Sequence, residues 1–413
     1  MLPFLKNTKS ILTWLVCFSY IGLFFPIGVS NMTLIALLVF CVIKTKPGEI
    51  LKTIRENQFS QIIIALYLLQ IVGLLYTENV KTGIFILEKK VSLLLIPIFV
   101  LPLFQKEDSL EDTLIEKIGI ITLLSSFCLL GIATFKAFFL NDSQAFFFEN
   151  FTSPFVHYVY YAMYFACGSL LLIDAVFDRL LERKYGVFII ILLFIYSLGF
   201  LILVASKTGI LAFGLASIVF LYKKIQSKRV FTLSMAMLLL VASLILYFNE
   251  TTRSRFTELT QNLSILTRDE LGEEVITDLN MRLLFWKISV VHSLNDHLFL
   301  AGVGTGDAQD YLDSLYTNPK YQLYGYVGWD PHNQWIYTFI QLGLLGVLIM
   351  ALLYTTSVIR AITQNDLKFL ISLIITFGFS QSESILESNK GIVFFSLLLT
   401  ILCIPYKKKP LPE

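Results

Sequence analysis

"GVFIIILLFIYSLGFLILVASKTGILAFGLASIVFLY", residues 186–222, contains one charged residue, Lys207. As a single helix it would reach roughly 55 Å at about 1.5 Å per residue, against a hydrocarbon core of about 30 Å. The chain must therefore turn inside it, and "ASKTG" (205–209) is the only polar place to do so. The stretch predicts two membrane-crossing helices, 186–204 and 208–224.

The rest of the 413-residue chain has the same character. It is 56% hydrophobic and 15% charged with a mean hydropathy of +0.73, whereas soluble domains carry about 25% charged residues. Ten further apolar runs, 10–28, 31–45, 59–76, 90–105, 116–139, 155–175, 230–248, 333–357, 366–381 and 391–405, complete an all-α integral membrane protein of about twelve transmembrane helices. Lys6 and Lys9 precede the first run, but no small-residue cleavage site follows, so a first transmembrane helix is expected rather than a removed signal peptide. The net charge of +2 and the lack of a basic arm with interleaved aromatics argue against nucleic acid as a partner. The five cysteines fall in apolar runs with no disulfide or zinc spacing.

Lysine and arginine set the expected orientation. With twelve spans, one set of connections collects most of them, from Lys6 and Lys9 through Arg183, Lys184, Lys228 and Arg229 to Lys407, Lys408 and Lys409. The short connections of the other set hold Lys81, Lys89, Lys90, Lys136, Lys207 and Lys390. The positive-inside rule then puts both termini in the cytoplasm. The chain divides into spans at 1–248, an extracytoplasmic loop at 249–332, and spans with a cytoplasmic tail at 333–413. The loop, "ASKTG", "ENFTSPFVH" (149–157), "SESILESNKG" (382–391) and all four histidines share the outer face, leaving the spans nearly free of interior charge.

Within the loop, residues 251–278 are polar and of mixed charge, and "DLNMRLLFWKISVVHSLNDHLFL" (278–300) spaces Leu283, Trp286, Val290, Leu294 and Leu298 helically. Arg282, Ser289 and Asp296 fall on another face, as in an amphipathic helix lying along the membrane interface. "AGVGTGDAQDY" (301–311) follows. Gly302, Gly304 and Gly306 fit either a tight turn ending that helix or an amide nest for phosphate-like oxygens. In "DPHNQW" (330–335), Asp330 can cap and Pro331 suits a first helical turn, which stands His332 and Asn333 at the outer end of a span. His332 is a candidate base there. Lys207 is expected at the outer interface, where a lysine is also free to snorkel. His292 and His297 are five apart, unlike a zinc pair, and Asp307, Asp310 and Asp313 lack calcium-loop spacing. No Walker lysine, Asp-x-Asp or Gly-x-Ser-x-Gly is present. A transfer site outside the cytoplasm has no supply of nucleotide-activated substrate, so its donor must arrive already activated through the membrane, as a lipid pyrophosphate does.

The order "MRLLFW", "GVGTGD", "PHNQWIYTFIQLGLLGVL", "LESNKGIVFF" resembles the O-antigen ligase and polymerase superfamily of bacterial envelope glycosyltransferases of the GT-C type. The likeness is densest over 278–350 and extends to "LVASKTGILAF" and to "YTENVKTGIFILEKKVSLLLIPIF" (76–99). It implies catalytic roles for His332, which would activate the acceptor hydroxyl, and for Arg282, which would hold the diphosphate. Lys207 stands where such proteins usually carry arginine, keeping the charge but not the bidentate fork. Trp286, Asn333 and His157 join Lys207 and the three glycines as substrate-binding candidates. The implied reaction moves a glycan from undecaprenyl diphosphate onto lipid A core at the periplasmic face of the inner membrane, with inversion and with no metal or cofactor. A polymerase joining lipid-linked repeats, a lipid-linked sugar flippase and a non-catalytic scaffold are the competing readings.

Overall fold

The computed structural model describes residues 8–106, 110–146, 148–152, 156–248, 278–296, 298–321 and 323–404. Within that set every regular element is a helix. They are α1 (Thr8–Gly22), α2 (Ile27–Lys44), α3 (Pro47–Glu56), α4 (Gln58–Leu74), α5 (Val80–Lys90), α6 (Ser92–Leu95), α7 (Leu101–Lys106), α8 (Leu110–Phe139), α9 (Phe148–Thr152), α10 (Tyr158–Leu181), α11 (Gly186–Leu203), α12 (Lys207–Lys224), α13 (Lys228–Phe248), α14 (Asp278–Asn295), α15 (Ala308–Tyr316), α16 (Gln334–Thr363), α17 (Leu367–Ser380) and α18 (Asn389–Leu402). Five helices are long and apolar enough to cross a membrane by length and composition, or up to six if α3 and α4, bent by 99°, form one span. The polar stretch 251–277 and His297 lie outside the described residues.

The turn falls at "ASKTG". α11 ends at Leu203, Ala205 takes a positive φ of 55°, and the Ser206 hydroxyl accepts the Gly209 amide at 3.1 Å to start α12. The run predicted at 90–105 is not a simple span. α5, α6, a π-helical turn at Ile96–Val100 and α7 follow one another, with Pro97 and Pro102 removing two backbone donors from the helical ladder. α10 forms the centre of the bundle and is buried almost continuously from Tyr161 to Ile173. Its neighbours satisfy their hydroxyls in pairs. Tyr20 meets Thr122 at 2.8 Å, Ser125 meets Tyr161 at 2.7 Å, and Ser126 meets Tyr196 at 2.7 Å. Such pairing keeps polar groups tolerable in a low-dielectric interior.

The three glycines resolve at a break in α16. Gly343 adopts φ 65° and ψ −160° inside that helix, which interrupts the hydrogen-bond ladder around it. The preceding loop fills the gap. Leu344 N–H bonds Phe299 O at 2.7 Å, Val303 N–H bonds Ile340 O at 2.9 Å, and Gly304 N–H bonds Gln341 O at 3.0 Å. On its other side the loop meets α4, with Thr305 N–H on Gly73 O and the Thr305 hydroxyl on Gln70 O at 2.6 Å. Gly306 N–H then bonds the Thr77 hydroxyl at 2.9 Å. Backbone approaches backbone this closely only without side chains: Gly302 and Gly304 have φ of 69° and 103°, and a Cβ on Gly302 would lie 2.5 Å from Ile340 O.

α14 departs from the sequence reading. Its buried face is Met281, Leu284, Phe285 and Ile288, packed with Ala308, Leu312 and Tyr316 of α15 and with Tyr337 and Ile340 of α16. Leu294 is exposed, whereas Ser289, assigned to the polar face, is fully buried. The helix is amphipathic, but its apolar stripe belongs to a small protein core rather than to an interface. Asp307, Asp310 and Asp313 also have structural work. Asp307 accepts the Glu78 and Asn79 amides at 2.7 Å each, Asp310 accepts the Asn79 side-chain amide at 2.9 Å, and Asp313 accepts Gly328 N–H at 2.7 Å.

A second departure concerns interior charge. Lys90 is not a solvated flank but a buried cation, held at 2.6 Å by Glu387 and at 3.0 Å by the Gln341 side-chain oxygen. Gln341 also receives Gln70 at 2.9 Å and donates to Thr305 O at 2.9 Å. Leu386 N–H donates to the Gln334 side-chain oxygen at 2.6 Å. One polar network thus ties α4, α5, α16 and the glycine loop to the 381–388 connection.

Gly302→Ala places a Cβ against the Ile340 carbonyl and forces an unfavourable φ, so it is expected to cost about 1–3 kcal/mol. Thermal unfolding in detergent checks this; an unchanged midpoint would mean that the loop does not depend on that contact.

Candidate functional site

α10, α12, α16 and α18 all begin at one end of the bundle, and the side chains singled out from the sequence gather there. His332 is presented by a tight local geometry. The Asp330 carboxylate accepts His332 N–H at 2.7 Å, and His332 takes a positive φ of 48°, a strained region for a residue with a side chain. Trp286 Nε1 on α14 donates to Pro331 O at 2.7 Å and holds the turn from the other side. The helix cap is Asn333 rather than Asp330: its side-chain oxygen accepts Trp335 and Ile336 N–H at 2.9 and 3.1 Å, while its Nδ2 donates to Gln381 O at 3.0 Å.

Glu383 organises the charges. Its Oε2 meets His332 Nδ1 at 3.1 Å and its Oε1 meets Arg282 NH1 at 3.1 Å. Arg282 NH1 also donates to Ser382 O. The Glu383 side chain is 6% exposed and those of Arg282 and His332 are 15% and 23% exposed, so the carboxylate lies beneath the two partners that retain access. With Nδ1 engaged, Nε2 is the imidazole nitrogen left to face a substrate.

The electrostatics follow from this bridge. Burial pulls the His332 pKa down, but the hydrogen bond and charge of Glu383 and the charge of Asp330 outweigh it, and the net shift is upward. Burial pushes Glu383 up, yet its bond to His332 and the charges of Arg282 and His332 bring it below the usual carboxylate value. Asp330 is raised, chiefly by burial. Both shifts favour the charged pair, an imidazole that holds its proton more firmly beside a carboxylate that gives its own up more readily.

The other sequence candidates divide. Lys207 opens α12, and its neighbour Thr208 is hydrogen-bonded to Ser382 at 2.6 Å, next to Glu383. His157 is exposed at the start of α10, and its charge acts on Glu383. Trp286 and Asn333, taken as substrate-binding from the sequence, have their polar atoms committed to holding the His332 turn. The glycine amides are committed too. Those of Gly302, Gly304 and Gly306 bond Leu298 O, Gln341 O and Thr77 Oγ1, so the tight-turn reading fits and an anion nest does not. Among the described residues no group of three or more His, Cys, Asp or Glu side chains is placed to hold a metal ion, and His292 bonds the Tyr321 hydroxyl at 3.0 Å.

Sequence reasoning missed Glu383 and Tyr160. The Tyr160 hydroxyl bonds Ser388, bringing an aromatic from α10 into the same end. An acidic residue between two apolar runs, four positions before Glu387, was the available signal for Glu383; nothing distinguished Tyr160 from the other tyrosines of "HYVYYAMY" (157–164).

A bundle of apolar helices, with Glu383 joining His332 and Arg282 at one end, is the build of a multi-pass α-helical membrane protein. Residues 192–351 match the family described as O-antigen ligase, which supports the resemblance to the O-antigen ligase and polymerase superfamily. Members of that family are glycosyltransferase-like enzymes with lipid-linked glycan and lipid A-core partners in general terms. The matched segment holds Lys207, Arg282 and His332, while Glu383 and Tyr160 lie outside it. No curated protein matches the chain.

Glu383→Gln removes the charge that raises His332. The acid limb of the kcat/KM profile, where His332 must lose its proton to act as a base, is therefore expected to move to lower pH, with the plateau reduced about 10²–10⁴-fold. A pH series on the reconstituted protein reads both, and an acid limb that stays in place would disconnect Glu383 from the base.

Proposed function

We propose that the protein is an O-antigen ligase that transfers a glycan from undecaprenyl diphosphate to lipid A core at the periplasmic face of the bacterial inner membrane. The observation that carries this reading is the Glu383 carboxylate bridging His332 and Arg282, because it joins a base to a cation at one accessible point. The topology belongs to the same proposal: about twelve spans, both termini cytoplasmic, and residues 249–332 and the His332 end of the bundle facing the periplasm. Helices overlie the apolar runs, and five of them, or six if the bent pair α3 and α4 is one span, are long and apolar enough to cross a membrane among the described residues.

In this scheme His332 Nε2 takes the proton of the acceptor hydroxyl as its oxygen attacks the anomeric carbon of the donor. The new glycosidic C–O bond forms as the bond to the diphosphate breaks, and the electron pair leaves with the phosphate oxygen. Glu383 stabilises the imidazolium formed at His332. Arg282 and Lys207 receive the charge that builds on the leaving diphosphate. A single displacement inverts the anomeric centre, and no step is routed through a metal or cofactor.

Complementation of a deletion strain tests the assignment. His332→Ala is expected to abolish transfer with membrane insertion intact, giving bare lipopolysaccharide core together with accumulated lipid-linked polymer. Ligation retained in that variant removes His332 from the mechanism, and core carrying a single repeat in the deletion strain assigns the chain to the polymerases instead. Arg282→Ala is expected to slow transfer about 10²–10³-fold; a change confined to acceptor affinity would contradict its role at the leaving group.

A further inference from the structure

At the end of the bundle opposite His332, α10 finishes and α11 begins, and α12 finishes and α13 begins. Between them lies a groove of about 540 Å³, within the range of about 300–1,000 Å³ for small-molecule sites. One face of α11 forms its wall, with Val187, Ile190, Ile191, Phe194, Ile195 and Leu198 at helical spacing. From Val187 to Leu198 that wall is about 16 Å long at about 1.5 Å per residue, close to half of a hydrocarbon core of about 30 Å. The groove therefore has the length of one leaflet. Its floor includes Gly214 of α12, above which a Cβ would meet nothing within 4 Å.

The groove's other end is polar and cationic. Lys224, Gln226 and Ser227 line it. Lys224 is committed to Asp174 at 3.2 Å and Asp178 at 2.9 Å, but the α10–α11 connection carries exposed Arg183 and Lys184 and the start of α13 carries exposed Lys228 and Arg229, against Glu182 and the already paired Asp178. An apolar slot one leaflet deep, with exposed cations in the chain segments on either side of its polar end, matches a molecule with an anionic head and a hydrocarbon tail. A tail gains little from leaving bilayer for groove, since both are apolar, so selection must come from the head.

We infer that this groove is a binding site for an anionic diacyl phospholipid of the surrounding leaflet, its acyl chain along α11 and its phosphate at Lys228, Arg229, Arg183 and Lys184. The site is separate from the transfer site and does not depend on the glycosyltransferase reading.

The protein, extracted into nanodiscs of mixed phosphatidylglycerol and phosphatidylcholine, is expected to retain phosphatidylglycerol enriched on the order of tenfold over the bulk mixture by native mass spectrometry. Gly214→Leu fills the floor with a good helix former and is expected to abolish the retained lipid. The double variant Lys228→Glu with Arg229→Glu, in the exposed first residues of α13, is expected to bring the two lipids to bulk proportions without changing the fold, which its thermal midpoint verifies. Retention in bulk proportions by the unaltered protein, or undiminished enrichment in the double variant, overturns the inference. So does displacement of the phospholipid by added polyprenyl phosphate at equal concentration, which would assign the groove to a polyprenyl chain.

Discussion

A backbone carbonyl in an apolar interior has no water to bond, and the break in α16 at Gly343 disturbs the ladder around Ile340 and Gln341. The chain answers with backbone from residues 299–304, and much else depends on that docking. It fixes the glycine loop, which anchors α15 behind it and α14 before it. α14 in turn carries Arg282 toward Glu383 and Trp286 toward Pro331. A helix break deep in the fold thus determines where a guanidinium stands at the edge of the bundle.

The same economy governs the charges. Glu383 is buried, and an unpaired carboxylate there would be costly; it is held by two partners instead, each more exposed than itself. The arrangement leaves a positive and basic surface over a negative foundation, suited to an anionic leaving group and a hydroxyl that must lose its proton. Four residues farther on, Glu387 is directed inward to Lys90, so the two glutamates of one short connection serve the site and the buried network respectively.

Much of this was legible in the sequence. Hydropathy located the apolar runs because a membrane helix must satisfy its backbone internally and cover itself with apolar side chains, and the polar interruption at "ASKTG" located the turn. His332, Arg282 and Lys207 were singled out by the family resemblance, since their residue types and positions alone left a solvated histidine and a snorkelling lysine open. What escaped was whatever depends on contacts distant in sequence. Leu283 and Leu284 are adjacent on α14, so more than one apolar stripe can be drawn through that helix, and only its packing against α15 selects Met281, Leu284, Phe285 and Ile288. The glycines favoured a tight turn but left an anion nest open until the acceptors of their amides were known. Lys90 looked like the end of a span because its partner is nearly 300 positions away.

The central claim is that a base held by Glu383 drives a single displacement at the anomeric carbon. The most direct measurement is the configuration of the new glycosidic bond, read by NMR on product made by the purified protein in vesicles from a lipid-diphosphate donor of known anomeric form. The account predicts inversion. Net retention would require a second displacement, through an intermediate that the Glu383-held His332 does not explain, and would contradict it.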